Sequence, residues 1–212
     1  MKKINYFLFM GAALIAMSCG SGTDNSGESL TDSLGVAPGS PNETENVMDS
    51  EDAMSAENAS ATLNPASGSD VSGTATFSQN EDGEVNLVLH VENLTPGTHA
   101  VHLHENGDCG AEDASSAGAH WNPTSEDHGK RGETDFHAGD ITNLTVGEDG
   151  IGHLEMDVEG WSIGGSEETS IINKAIIIHA DPDDFKSQPA GAAGARVACG
   201  VIQSDGNTTR VP

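Results

Sequence analysis

The chain has 212 residues, with 34 acidic residues against eight basic ones, a formal charge of −26 and only 4% aromatics. Such an acidic surface excludes a nucleic-acid partner, whose affinity rests on Lys and Arg neutralising phosphates. With 26 glycines and few aromatic rings, any core has to be built from Val, Ile, Leu and Ala.

Residues 1–19 read as a targeting segment rather than part of a fold. Lys2 and Lys3 precede the apolar run "INYFLFMGAALIAM", too short to span a bilayer comfortably, and small residues then lead to Cys19. The stretch "AMSC", Ala16 to Cys19, resembles the lipobox of bacterial lipoproteins, in which the cysteine is lipidated and becomes the new N-terminus; Ala16 stands where leucine is usual. Ordinary cleavage near Ser18 is the alternative. Export to a bacterial cell envelope is expected in both cases, and a lipid on Cys19 would add membrane anchorage facing the periplasm or the cell surface. Without Lys2 and Lys3 the formal charge becomes −28.

Residues 20–57 carry Asp24, Glu28, Asp32, Glu43, Glu45, Asp49, Glu51, Asp52 and Glu57, with no Lys, Arg or aromatic residue. Such a segment buries too little apolar surface to offset its ordering entropy, so it reads as a disordered acidic tether. What remains, 58–212, suffices for one domain with its own core.

Strand-like runs separated by turn signals fill this domain. A weak first candidate, "ASATL" (59–63), is followed by the alternating "VSGTATFS" (71–78) and a turn at Asp82-Gly83. Then "VNLVLHVENL" (85–94) places Val85, Leu87, Leu89 and Val91 on one face, and "TPG" turns the chain into "THAVHLH" (98–104). The runs "ITNLTV" (141–146), "IGHLEMDV" (151–158), "NKAIIIH" (173–179) and "ARVACGVI" (195–202) complete the set. No stretch sustains a 3.6-residue period. The expected class is all-β, an eight-stranded antiparallel sandwich or barrel. Two segments break the strand rhythm, 105–139 and 180–195. Long loops in a compact domain are usually functional or disordered, and loops on a rigid β scaffold carry chemistry.

His102 and His104 are two residues apart, so in a strand both imidazoles point to one face. His120, His128, His137 and Asp140 lie in or just beyond the first long loop, and His179 ends a strand at the edge of the second. Imidazole nitrogen suits zinc and copper, and a carboxylate can complete a tetrahedral zinc site. His90 and His153 read as solvated, and His99, of opposite parity to His102, as structural.

The segments "HAVHLHENGDC", "SAGAHWNPTSEDHG", "HAGD", "IIIHADPDDF" and "GARVACGVI" resemble, in order, the motifs of the copper/zinc superoxide dismutases. The resemblance runs from about Ala59 to Ile202 and is closest to the exported bacterial branch. It implies a Greek-key arrangement of the strands. It implies copper on His102, His104, His120 and His179, and zinc on His120, His128, His137 and Asp140, with His120 bridging both. Asp183 would tie a copper histidine to a zinc histidine, and Cys109 and Cys199 would form the intrasubunit disulfide. Arg196 would draw a small anion towards copper; the alternative is a surface salt bridge.

The resemblance further implies dismutation of superoxide to oxygen and hydrogen peroxide, with His120 carrying a proton in the second half-cycle. A non-catalytic copper- or zinc-buffering lipoprotein on the same scaffold is the competing reading. Lys130, Arg131 and Lys186 are candidates for steering the anion against the global charge, and the sequence leaves monomer or homodimer open.

Overall fold

The computed structural model describes residues 57–206. The targeting segment with Cys19, the tether before Glu57 and residues 207–212 lie outside the described residues. Nine strands follow in chain order: β1 Asn58–Pro65, β2 Ser72–Gln79, β3 Val85–Glu92, β4 Gly97–His104, β5 Asp140–Val146, β6 Gly152–Val158, β7 Ala175–His179, β8 Arg196–Val201 and β9 Gln203–Ser204. A single 3-10 turn, Ser115–Ala117, interrupts the first long loop.

All pairings between these strands are antiparallel among the described residues, and β1–β2 contact closes the order β1-β2-β3-β6-β5-β4-β7-β8 into an eight-stranded barrel, with β9 added on β1. The all-β class and the expected closure are both observed. Two joints are thin: β5 and β6 share only Val146↔Gly152, and β8 and β1 only Asn64↔Cys199 and Pro65↔Ala198. The barrel is therefore flattened into two four-stranded sheets, β1-β2-β3-β6 and β5-β4-β7-β8, packed face to face.

The strand ends differ from the sequence reading where a residue enters the left-handed region. Asn93, at φ 60°, stops β3 at Glu92 instead of Leu94, and Asn173, at φ 61°, delays β7 to Ala175. Asn tolerates this conformation through its short polar side chain. Gly83, at φ 87°, forms the β2–β3 hairpin turn, and its N–H donates to the Asn80 carbonyl at 3.0 Å.

Alternation builds the core. Val85, Leu87, Leu89 and Val91 of β3 are fully buried opposite Ala59, Ala61 and Leu63 of β1 and Ala75 and Phe77 of β2. Each buried Leu or Val stabilises by roughly 1.5–3 kcal/mol. In β7 the run Ala175–His179 is buried on both faces. Ile176 and Ile178 join the main core, whereas Ile177 packs with Ala66, Ala114, Ala117 and Cys199 beneath the first long loop.

The Cys109–Cys199 disulfide, with Cα atoms 5.8 Å apart, pins that loop to β8. It closes a sequence separation of 90. On the chain-entropy model such closure contributes about 4–5 kcal/mol. Reducing the bond is expected to lower the free energy of unfolding by about that amount, read from urea midpoints with and without reductant. An unchanged midpoint would mean that the loop holds its place without the bond.

Candidate metal centre

Strand β4 delivers His102 and His104 to one face, as parity requires. A bulge between Val101 and His102 interrupts pairing with β5, and another between Ile178 and His179 interrupts pairing of β7 with β8. A bulge re-aims the side chain that follows it, and here both bulges precede a histidine of the same cluster. Every residue of β4 from His99 onward is buried, because loops cover the face that a free strand would expose. His99 stays outside the cluster: its ring spans the His179 carbonyl at 3.0 Å and the Thr95 carbonyl at 2.9 Å.

One group consists of His102, His104, His120 and His179, all buried, with one ring nitrogen from each within 4.8 Å of the others. Three of these rings are oriented from outside. His102 Nε2 donates to Asp183 Oδ2 at 2.8 Å, His104 Nδ1 to the Gly118 carbonyl at 3.0 Å, and His179 Nδ1 to the Gly194 carbonyl at 3.5 Å. A neutral imidazole has one N–H, so these bonds leave the opposite nitrogen of each ring with its lone pair directed inward.

The second group consists of His120, His128, His137 and Asp140, equally buried and equally compact. His120 Nδ1 lies 2.8 Å from Asp140 Oδ1 and 3.4 Å from His137 Nδ1. His120 therefore offers Nδ1 to this group and Nε2 to the first. His128 Nε2 donates to Asp183 Oδ1 at 2.9 Å. The carboxylate of Asp183 thus accepts from one histidine of each group.

His102 Nδ1, His120 Nε2 and His128 Nδ1 are buried without a hydrogen-bond partner. His128 Nδ1 is 3.0 Å from Asp140 Oδ2, but it is not aligned for a hydrogen bond. Buried nitrogens that converge without bonding one another carry a desolvation cost that a cation would remove. Four imidazoles, and three imidazoles with one carboxylate, are donor sets that fit copper and zinc respectively.

Charge is distributed unevenly across the two groups. Burial pushes His104 down to about 2, His120 to about 4 and His179 to about 3, so these three rings favour the neutral form. Burial also opposes charge on His128, but the adjacent Asp140 carboxylate and the hydrogen bond to Asp183 outweigh it and raise this histidine to about 9. Burial works against the charged form of Asp140 and Asp183 too, yet their histidine partners hold both carboxyls well below the usual range.

Several residues that hold this arrangement carry no signal in the sequence. Gln188 brackets the His128 backbone, accepting from its N–H at 2.9 Å and donating to its carbonyl at 2.8 Å. Asn143 does the same for Asp183, at 2.8 and 2.9 Å. Arg131, one of three candidates for steering, donates to the carbonyls of Ala138, Asp140 and Glu159. Its guanidinium also lies 5.1 Å from the Phe136 ring and 5.2 Å from that of Trp161. It is committed to the loop that carries His137 and Asp140. Lys130 and Lys186 are exposed, with Lys130 6.0 Å from the Phe185 ring.

Arg196 pairs across the strands with His179. Its Nη1 donates to the Ala114 carbonyl at 2.7 Å and its Nη2 to the Gly118 carbonyl at 2.6 Å, the same oxygen that orients His104. No ion pair to Arg196 is present among the described residues. The guanidinium is therefore half-buried, held by carbonyls and not neutralised by a contacting carboxylate.

Gly191 lies against the Asp183 bridge at φ +63°, where an added Cβ would fall 1.8 Å from Asp183 Oδ1. Gly132, at φ +87°, has open space around the same position. Gly132→Ala should cost only the left-handed penalty of about 1–2 kcal/mol. Gly191→Ala should cost clearly more, about 3 kcal/mol or above, because the carboxylate must also move. Equal losses for the two variants in urea unfolding would remove the steric claim.

A histidine with a depressed folded pKa withholds a proton that the unfolded chain binds, so stability is lost as pH falls below about 6.5. His104, His120 and His179 act in this sense, and His128 acts oppositely, its stabilisation being lost as pH rises through about 9. The three depressed groups dominate below about pH 7 and His128 dominates above it, so metal-free protein should be most stable near pH 7. Its urea midpoint should fall from pH 8 to pH 5; a rise on acidification would contradict this charge assignment.

Residues 71–202 match the family model of copper/zinc superoxide dismutase. Among solved structures, one described as a crystal structure analysis of the clock protein EA4 is similar at 33% identity, covering 69% of this chain and 93% of that one, with a TM-score of 0.62. The family match spans most of the chain and includes both histidine groups, the disulfide and Arg196. The chain belongs to the copper/zinc superoxide dismutase family.

Proposed function

We propose that the protein dismutates superoxide, holding copper on His102, His104, His120 and His179 and zinc on His120, His128, His137 and Asp140. The single observation that carries this reading is the sharing of His120, whose two ring nitrogens are offered to two different buried donor sets. Family membership agrees with it. Copper would supply one-electron exchange, by which two superoxide anions and two protons become oxygen and hydrogen peroxide, and zinc would supply no redox chemistry.

The remaining work falls to the chain. Arg196, fixed by the Ala114 and Gly118 carbonyls, presents an unpaired positive charge beside the His104 and His179 rings. It binds and orients the incoming anion. His120 would carry a proton at Nε2 only while that nitrogen is not holding copper and would give it up towards peroxide formation, while its Nδ1 remains directed at the second group. Asp140 and Asp183, ionised across the physiological range, keep the histidines in the tautomers that the site needs. The proposal extends to export, with a lipid on Cys19 as membrane anchor and the disulfide suited to an oxidising compartment.

Superoxide is an anion, and a formal charge of −28 after removal of Lys2 and Lys3 should repel it. Exposed charges beyond about 8 Å are largely screened at physiological salt, so the field of Arg196 decides the approach. The test is a superoxide assay of protein loaded with both metals. The rate should fall as salt rises, and Arg196→Glu should lower kcat/KM at least about tenfold, roughly 1.4 kcal/mol, with metal content unchanged. His120→Ala should disturb both metals, whereas His128→Ala should chiefly lower zinc. A loaded protein without activity would leave only a metal-buffering role.

A further inference from the structure

We propose a third metal site, on the outer face of the β1-β2-β3-β6 sheet, formed by His90 and His153 and supported by Glu92 and Glu155. It would take a divalent ion that prefers imidazole nitrogen, copper(II) first and zinc next. Each histidine alone reads as a solvated side chain, and the two are 63 positions apart in the sequence. The strand register changes that reading: His90 of β3 stands directly opposite His153 of β6.

Directly opposed residues of an antiparallel pair have Cβ atoms about 4.5–5.5 Å apart and project to the same face. Two histidines one helical turn apart, with Cβ atoms about 5–6 Å apart, hold zinc in the His-Glu-x-x-His helix. The strand pair provides a comparable bite. Both side chains are accessible, since His90 is 44% exposed and His153 is exposed on β6.

The surroundings favour a cation in two independent ways. Glu92 Oε1 lies 3.3 Å from His90 Nε2, which assigns the proton to that nitrogen and leaves Nδ1 free to coordinate. A carboxylate in that position orients a ligating imidazole and raises its basicity. Glu92 and Glu155 are each two residues along their strand from a member of the pair, hence on the same face. Asp157 follows on that face, and strands β2, β3 and β6 contain no Lys or Arg to oppose a bound ion. His90 and His153 belong to neither buried group. The proposed site therefore does not depend on the buried groups or on the proposed activity.

The experiment is a titration with copper(II), and separately with zinc(II), of protein whose buried groups have first been saturated and the excess removed. Calorimetry counts the ions bound, and paramagnetic broadening by copper(II) identifies the imidazoles that hold them. Wild type should bind one ion more per chain than His90→Gln/His153→Gln, with broadening confined to the His90 and His153 rings. Each single variant should weaken binding at least about tenfold, and Glu92→Gln should weaken it by up to about that factor. The buried metals and the thermal midpoint of the ion-free surface should be unchanged in all variants. Equal stoichiometry in wild type and the double variant, or broadening centred on other residues, would overturn the proposal. So would metal-driven dimerisation in sedimentation, because the ion would then bridge two chains instead of closing across the strand pair.

Discussion

The carboxylate of Asp183 is the contact on which the centre depends. Its two oxygens accept from His102 on strand β4 and from His128 in the first long loop, 2.8 and 2.9 Å away. A buried carboxylate is costly unless it is paired and hydrogen-bonded, so this one orders its donors as firmly as they order it. It fixes the proton-bearing nitrogen of one ring in each group. The lone pairs of both rings are thereby directed to where ions would sit. Asn143, reaching from β5 to the Asp183 backbone, sets the carboxylate in place, and Gly191 leaves the space it occupies.

The barrel supplies the rigidity that this contact needs. Its two sheets carry a core of aliphatic side chains, and the site is built outside that core where two bulges turn histidines away from the regular pleat. The first long loop is held by the disulfide at one end and by Arg131 at the other. Leu103, Trp121 and Gly139 exchange backbone hydrogen bonds of 2.8–2.9 Å, which stitch the middle of that loop onto β4. Gly139 permits this approach, since a Cβ there would fall 2.2 Å from the Leu103 carbonyl oxygen. A loop fastened at three places can present three ligands with little freedom left to lose on binding.

The acidity of the chain and the chemistry of the centre are reconciled by distance. Most carboxylates are exposed and screened, whereas Arg196 is held within the site by neutral carbonyls. A salt bridge at Arg196 would neutralise the charge that, on the proposed function, an incoming anion would meet. Carbonyl oxygens orient the guanidinium and leave its positive charge available.

Much of the protein was legible in the sequence because period and parity are local properties. Val85, Leu87, Leu89 and Val91 declared an inward face, and the two-residue spacing of His102 and His104 declared a shared one. The resemblance of the histidine segments to a known family extended this to the ligand groups, whereas the contacts by which Arg131 clamps the loop carried no signal in the sequence. Tertiary structure alone decided what depends on register and on contacts between distant segments. Which nitrogen of each ring faces inward follows from partners up to 81 positions away, and the opposition of His90 and His153 follows from β3 pairing with β6 rather than with β4. Sequence spacing carries no information on such partners, because side-chain parity is set within one strand while register is set by the packing of the whole sheet.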